Sequence, residues 1–324
     1  MRRAGVAGLL LGIVAALACS LVACSARSDE AAVGPVQINM PDGRSVNIPD
    51  TPTRIVTLGG QWTDVLLAFG EKPVGYYDAN FAARNITAPW YGNKLSGVVA
   101  LDPNDDVVAN VAKLDPDLIL APGFAGMSGV FDKLARLAPT LDQISGQQID
   151  PWEDMVTLMG TILRRTDKAA EIIDGVTAKI TGIMREYPGL RGKTYAFAYM
   201  YGADQIQALG DTDDGAGEVF SSLGLTLAPR LVQQAQTTGQ PRFGLSAENL
   251  PWLNADLLVM AAENDQLGRR LQGLPGYRNL RSVRSGAVAL LDVTAINGLN
   301  EPGPLALPYS LDQITPALAR AAGA

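Results

Sequence analysis

Aromatic and arginine side chains carry most of the chemistry open to this sequence, because its 324 residues include no histidine. Without imidazole no Ser-His-Asp or Cys-His relay can form. Zinc, copper and manganese sites lose their usual ligand as well. Carboxylates alone can hold calcium, but no Asp-x-Asp-x-Asp loop with a terminal Glu is present. The run Gly123-Phe124-Ala125-Gly126-Met127-Ser128-Gly129 is glycine-rich, yet it is not G-x-G-x-x-G and has no phosphate-binding Lys. It reads as a turn that lets backbone approach a ligand. The composition therefore points to binding, with no catalytic residue, no resident metal and no cofactor expected. The binding candidates in the first half are Trp62, Tyr77, Trp90, Tyr91 and Phe124. In the second half they are Tyr199, Tyr201, Arg230 and Arg242. Aromatic faces and Tyr hydroxyls suit the apolar rim of a bulky ligand, and Arg suits its anionic oxygens.

Those side chains need elements that bring them together. Val36–Asn39 and Ser45–Ile48 flank Asp42-Gly43 and predict a hairpin. Strands follow at 54–58, 72–76 and 117–121, alternating with helices near 64–69, 105–114 and 130–138. Such alternation argues for a parallel sheet covered by helices. Asp150-Pro151-Trp152-Glu153 predicts a capped helix start, with Asp150 as the cap. Thr166-Asp167 then offers a cap for a second helix. Ile172, Ile173, Val176, Ile180 and Ile183 recur at helical spacing up to Pro188-Gly189. About 20 residues give a rod of roughly 30 Å, long enough to cross between lobes. The strand–helix pattern then resumes, with strands at 193–199, 255–261 and 287–291, a helix at 218–223 and a last helix at 311–322. Tyr199 and Tyr201 fall at a strand end, whereas Arg230 and Arg242 fall in loops. A phrase recurs between the halves: Leu114-Asp115-Pro116-Asp117-Leu118-Ile119 parallels Leu253-Asn254-Ala255-Asp256-Leu257-Leu258. The expected fold class is α/β, two Rossmann-like lobes joined by a single long helix.

The N-terminus has the plan of an export signal: Arg2-Arg3, an apolar run from Gly8 to Val22, then small residues. The run is too short to span a bilayer comfortably. Leu21-Val22-Ala23-Cys24 resembles the lipobox of bacterial lipoproteins. That resemblance implies that Cys24 is lipidated and that the chain sits outside the cytoplasm, anchored to the cell membrane. The resulting division is a signal peptide at 1–23, a flexible tether at 24–35, a first α/β lobe at 36–150, a helical segment at 151–188 and a second α/β lobe at 189–324. Loss of residues 1–23 removes two of the 26 basic residues and none of the 33 acidic ones, leaving a remainder more acidic than the whole chain's −7. No basic stretch suits nucleic acid.

Pro52-Thr53-Arg54-Ile55-Val56-Thr57-Leu58, Leu114 to Leu120, and Leu274-Pro275-Gly276-Tyr277 together resemble class III substrate-binding proteins of ABC importers. Within that group the chain looks most like iron-siderophore binders. The resemblance implies a monomer that moves modestly around a ferric siderophore, docks on an ABC transporter permease and catalyses nothing. It also implies an Arg at Arg242 and one docking acid per lobe. In the second lobe Ser246-Ala247-Glu248-Asn249-Leu250 matches that motif, so Glu248 is the candidate. In the first lobe the family position is Ala109, a departure, and Asp105 or Asp106 would have to present the carboxylate from one turn earlier. Cobalamin or haem as the ligand stays open, as does a sensor or adaptor role on the same fold.

Overall fold

The hairpin forms where the turn residues place it. β1 (Val36–Asn39) and β2 (Ser45–Ile48) pair antiparallel, and Gly43 takes the left-handed φ of +87° that the turn requires. Arg44 leaves the turn to donate two 2.8 Å hydrogen bonds to Asp142, and its guanidinium lies 4.1 Å from the centre of the Phe131 ring. This computed structural model describes residues 34–78, 84–102, 104–122, 129–147 and 149–323. The expected signal peptide, Cys24 and Phe124 lie outside the described residues.

The first sheet is β3 (Ile55–Thr57), β4 (Gly75–Tyr76), β5 (Val99–Ala100), β6 (Leu118–Leu120) and β7 (Thr140–Leu141). Its order is β5-β4-β3-β6-β7, parallel throughout. Helix α1 (Gly60–Ala68) follows β3, α2 (Val107–Lys113) precedes β6, and α3 (Phe131–Leu134) precedes β7. The strands are apolar on both faces because both faces are covered. Ile55, Leu118 and Leu120 join the main core with Trp62, Leu66 and Trp152. Val56 and Ile119 point the other way, into a smaller core with Val111 and Leu134.

Two helices lead out of this lobe, α4 (Trp152–Ile162) and α5 (Thr166–Glu186). Asp150 does not cap α4. Its carboxylate is taken by the Ile144 and Ser145 N–H groups and the Ser145 hydroxyl, and Pro151 holds the cap position. Thr166 is the first residue of α5 rather than its cap. The 21 residues of α5 span about 31 Å at 1.5 Å each. Ala169, Val176 and Ile183, seven apart, form its fully buried stripe.

The second sheet comprises β8 (Thr194–Gly202), β9 (Gln205–Leu209), β10 (Thr226–Leu227), β11 (Arg242–Ser246), β12 (Leu257–Ala262) and β13 (Val288–Leu291). The order is β11-β9-β8-β12-β13, with β10 beside the start of β8. β9 pairs antiparallel with both β8 and β11, and the remaining pairs are parallel. The helices are α6 (Gly215–Ser222), α7 (Pro229–Thr238), α8 (Asp265–Gly273), α9 (Arg281–Ser285), α10 (Val293–Asn300) and α11 (Ala306–Ala322). Arg230 and Arg242 are therefore not in loops: Arg230 lies on α7, and Arg242 opens an edge strand. β11 reads weakly because it is short and carries an exposed Gly244. Residues 35–324 form one compact unit containing both sheets.

The phrase shared by the halves has a structural reason. Asp117 accepts from the Thr53 N–H (2.7 Å), the Thr53 hydroxyl (3.0 Å) and the Arg54 N–H (2.8 Å), at the entry to β3. Asp256 accepts from the Thr194 N–H and hydroxyl, both at 2.9 Å, at the entry to β8, and from Arg281 at 2.8 Å. In each lobe one carboxylate before a strand fixes the start of its parallel neighbour. Partial burial alone would raise the Asp256 pKa, but the bonds from Thr194 and Arg281 hold it at about 2. Asp256→Ala should cost about 1–3 kcal/mol at pH 7, since it takes the acceptor from the part-buried Thr194 N–H and hydroxyl. Because the folded pKa is depressed, that contribution is present above pH 4 and fades as pH falls towards 2. Urea unfolding of both proteins at pH 7 and pH 2.5 checks this, and a gap that does not narrow in acid would exclude the carboxylate as its source.

Candidate functional site

The carboxyl ends of β12 and β13 open onto a cavity of about 750 Å³. Parallel strands leave such a crevice beyond their carboxyl ends. The first lobe contributes Arg84, Ile86, Thr87 and Pro89 to its wall. Glu263 and Asn264 come from the β12–α8 junction and Arg269 from α8 itself, and Leu290, Asp292 and Tyr309 complete the far side. Helix caps fix several of these groups. Asn264 accepts from the Leu267 N–H at 3.0 Å to cap α8, and Asp292 accepts from the Ala295 N–H at 2.7 Å to cap α10. Arg84 crosses from the first lobe to pair with the Glu263 carboxylate, and it also donates to the Glu263 carbonyl at 3.3 Å. Ile86 and Leu290, 49% and 44% exposed, supply apolar surface.

A second, smaller cavity of about 30 Å³ lies at the carboxyl ends of β3 and β4. Gly60, Asp64, Asp78, Trp90 and Tyr91 line it from the first lobe, and Asn297, Glu301 and Ala306 from the second. The turn Pro89-Trp90-Tyr91 stands between the two cavities, since Pro89 lines the larger and Trp90 and Tyr91 the smaller. Trp90 meets Tyr91 edge-on with ring centres 5.7 Å apart, and it lies 5.7 Å from the Tyr309 ring across the lobes. The Tyr91 hydroxyl donates to the Gly60 carbonyl at 3.1 Å.

Asp64 ties this floor to the far end of the chain. It is 1% exposed, and its Oδ2 accepts from the Leu305 and Ala306 N–H groups at 3.2 and 3.0 Å. Those groups begin α11, so a first-lobe carboxylate caps a second-lobe helix. Gln61 reinforces the joint by donating to the Pro302 carbonyl at 2.9 Å. Burial pushes the Asp64 pKa up to about 7, against the lowering effect of the two N–H groups and Lys94. Burial also raises Tyr91, helped by Asp64, Asp78 and Glu301. Glu301 is solvent-exposed as a residue, yet its carboxyl is crowded enough for desolvation and then Asp78 to raise its pKa, while Arg242 lowers it.

Among the sequence candidates, Trp90 and Tyr91 come together at this floor. Trp62 does not join them: at 2% exposure it packs inside the main core, because the buried face of α1 carries it there. Tyr77 packs against the smaller core beside β3. Tyr199 and Tyr201 lie 6.3 Å apart towards the end of β8, outside both cavity linings, and Tyr201 is 47% exposed. Arg230 sits 4.3 Å over the Trp252 ring and donates to Gln233, away from either cavity. Arg242 is held by Asp214 through two bonds of 2.8 and 2.6 Å and by Asn300 at 2.8 Å, so its charge is already matched. Sequence reading missed Arg84, Glu263 and Arg269, and the acids Asp64, Asp78 and Glu301. These are single residues without a motif, and only folding gathers them.

The expected docking acids are all exposed. Glu248 lies on a seven-residue 3₁₀ turn, Ala247–Leu253, interrupted by Pro251. Ser246 does not cap it; its hydroxyl accepts instead from the Asn249 side chain at 3.2 Å. Asp105 and Asp106 precede α2 rather than lying on it. Asp106 caps that helix through the Ala109 N–H at 3.0 Å, and Asp105 accepts from Asn110 at 3.4 Å.

Comparison with known proteins places this geometry in context. A family described as periplasmic binding protein matches residues 55–295. A Bacillus subtilis protein named "Probable siderophore-binding lipoprotein YfiY" is 27% identical over 295 residues, covering 86% of each chain. The crystal structure of a periplasmic solute binding protein from Mycobacterium smegmatis is 25% identical with a TM-score of 0.75, covering 90% of this chain and 99% of that one. Streptococcus pneumoniae PiaA in complex with ferrichrome shares the fold at 23% identity and a TM-score of 0.71, covering 89% and 99%.

Asp64 sets a pH dependence that can be measured. Its folded pKa lies above the ordinary carboxylate value, so the folded protein retains a proton that the unfolded chain has lost. Its contribution is complete below pH 4 and disappears as pH rises through 7, a change of up to about 4 kcal/mol. Asp64→Asn keeps an acceptor for the α11 N–H groups without the titration. Wild type should therefore lose thermal stability relative to Asp64→Asn between pH 4 and pH 8. Parallel melting curves for the two proteins across that range would refute the assignment.

Proposed function

Because the chain belongs to the periplasmic binding protein family, we propose that it is the solute-binding component of an ABC importer and captures a ferric siderophore for delivery to a membrane permease. The cavity between the lobes carries this reading. Its volume of about 750 Å³ falls in the range that encloses one compact ligand. Apolar surface from Ile86 and Leu290 and polar groups fixed by helix caps suit a chelate whose metal is already wrapped. The iron belongs to the cargo, and the protein's task is capture and release rather than catalysis.

The lobes at 36–150 and 189–324 act as the two jaws, with 151–188 as the connecting segment. Cys24 carries the lipid that holds the protein at the outer face of the cell membrane. No helix among the described residues is long and apolar enough to cross a membrane. Glu248 presents the second-lobe carboxylate to the permease. On the first lobe that part falls to Asp105, assisted by Asp106, whose cap to Ala109 ties one of its oxygens.

Tryptophan fluorescence should report capture, because Trp90 stands between the cavities. Ferric siderophores should quench or shift it saturably, while cobalamin, haem and unchelated Fe³⁺ should not. Saturation by cobalamin or haem, with no response to any ferric chelate, would overturn the ligand class. Cys24→Ala should move the protein from the membrane to the soluble fraction. Glu248→Ala should leave ligand affinity within about twofold and lower permease-coupled uptake, roughly the loss of one charged contact. Full uptake by a variant lacking Glu248, Asp105 and Asp106 would exclude carboxylate docking.

A further inference from the structure

The charges that line the larger cavity do not favour an anion. Two arginines, Arg84 and Arg269, stand there against three carboxylates, Glu263, Asp265 and Asp292. The smaller cavity is lined by no lysine or arginine. Residues 79–83, 103, 123–128 and 148, outside the described residues, include no charged side chain, so the balance does not depend on them.

Each positive group at this cavity already has an answering acid. Arg84 donates to the carboxylate of Glu263 and, at 3.3 Å, to its carbonyl, so the pair cancels across the lobes. Two helices, α8 and α10, begin at the cavity, and helix N-termini attract anions. A carboxylate stands at each: Asp265 is the first residue of α8, and Asp292 caps α10 through the Ala295 N–H at 2.7 Å. Arg269 is exposed and has no hydrogen bond or ion pair among the described residues. Asp265 lies four residues before it on the same face of α8, and an exposed charge is screened by water and salt. An anionic ligand would therefore have to draw Arg84 off Glu263. That exchange leaves a part-buried carboxylate without its cation, facing the ligand. An uncharged ligand needs no exchange. It meets the apolar Ile86, Pro89, Leu290 and Leu291 and the hydroxyls of Thr87 and Tyr309.

We propose that the larger cavity selects ferric chelates without net negative charge, and that Glu263 sets this selection by holding Arg84; this rests on the ferric-chelate reading above. Glu263 is then a specificity-determining residue, and it acts through the arginine it occupies. The second-lobe arginine expected to receive an anionic ligand, Arg242, is bound to Asp214 and Asn300 in the same manner.

Two chelates with the same ferric core separate charge from shape. Ferrioxamine B acetylated on its amine is uncharged, and ferrioxamine B succinylated there carries one carboxylate. Wild type should bind the acetyl form about tenfold more tightly, the worth of one charge-assisted hydrogen bond. The ratio of the two affinities is read within each protein, so a general change in binding cancels. Glu263→Gln should bring the ratio to about one, because Arg84 is then free for the succinyl carboxylate. Adding Arg84→Gln to that variant should return it to about ten. Equal binding of both chelates by wild type, or an unchanged ratio in Glu263→Gln, would overturn the proposal. A ratio near one in the double variant would exclude Arg84 as the group that Glu263 holds back. A metal-free pair, anilinonaphthalene sulfonate and its unsulfonated parent, repeats the comparison by fluorescence without the transport reading. Glu263→Gln should shift that ratio about tenfold towards the sulfonate. Should neither chelate bind any of the proteins, the ferric-chelate reading falls, and the charge selection stands or falls with this shift.

Discussion

A carboxylate from the first helix holds the last helix of the chain in place. Asp64 accepts from two N–H groups at the start of α11, 241 and 242 residues downstream, and in doing so joins the lobes at the floor of the cleft. The contact is possible because residue 303 is glycine. A Cβ there would stand 2.0 Å from Asp64 Oδ2, which no side chain can accommodate without displacing the carboxylate. Burying this carboxyl costs enough to lift its pKa to about 7, and the N-terminal end of a 17-residue helix offsets part of that cost. α11 packs in turn on α10 and β13, and Lys179 of α5 reaches Asp312 on its surface at 2.6 Å. One polar contact therefore relates the first sheet, the connecting helix and the second sheet at the floor of the cleft.

Around this joint the positive charges are largely committed. Arg44 serves the N-terminal hairpin, Arg84 bridges the lobes to Glu263, Arg230 covers Trp252, and Arg242 is held by Asp214 and Asn300. The cleft floor keeps its acids and the larger cavity keeps Arg269. An arginine that already has a bidentate carboxylate can take an anionic ligand only by giving up that partner, so the number of arginines near a cleft overstates its positive field. The distribution of partners, more than the count of charges, decides which ligand charge the cleft favours.

The frame that carries these groups is built from a repeated device. Asp117 and Asp256 each anchor the start of a neighbouring parallel strand, so β3 and β8 enter their sheets in fixed register. Residues at or after the carboxyl ends of strands in both sheets line the two cavities. The groups at those ends are set by helix caps at Asn264 and Asp292 and by the Tyr91 bond to Gly60. A cleft organised in this way presents most of its polar groups before ligand arrives, which limits the ordering cost of binding.

Local pattern alone determined the hairpin at Asp42-Gly43, the alternation of strands and helices in the first lobe, the long helix with its isoleucine spacing, and the shared Asp phrase. Each depends on residues close in sequence, through turn chemistry, period or a single strand entry. Pattern also brought Trp90 and Tyr91 into view, because they fall in a loop after a strand. It misplaced Trp62, which the period of α1 turns into the core, and Asp150, whose carboxylate found three donors in its own loop instead of a helix. Only the tertiary structure decided that Asp64, Asp78 and Glu301 share one cavity and that Arg242 belongs to Asp214. The physical reason is distance along the chain. Gly60 and Glu301 lie 241 positions apart, no periodicity links them, and the energy that brings them together is spread over two sheets and a helix. A binding floor made of single residues from distant segments leaves no local signature, whereas the scaffold that assembles it does.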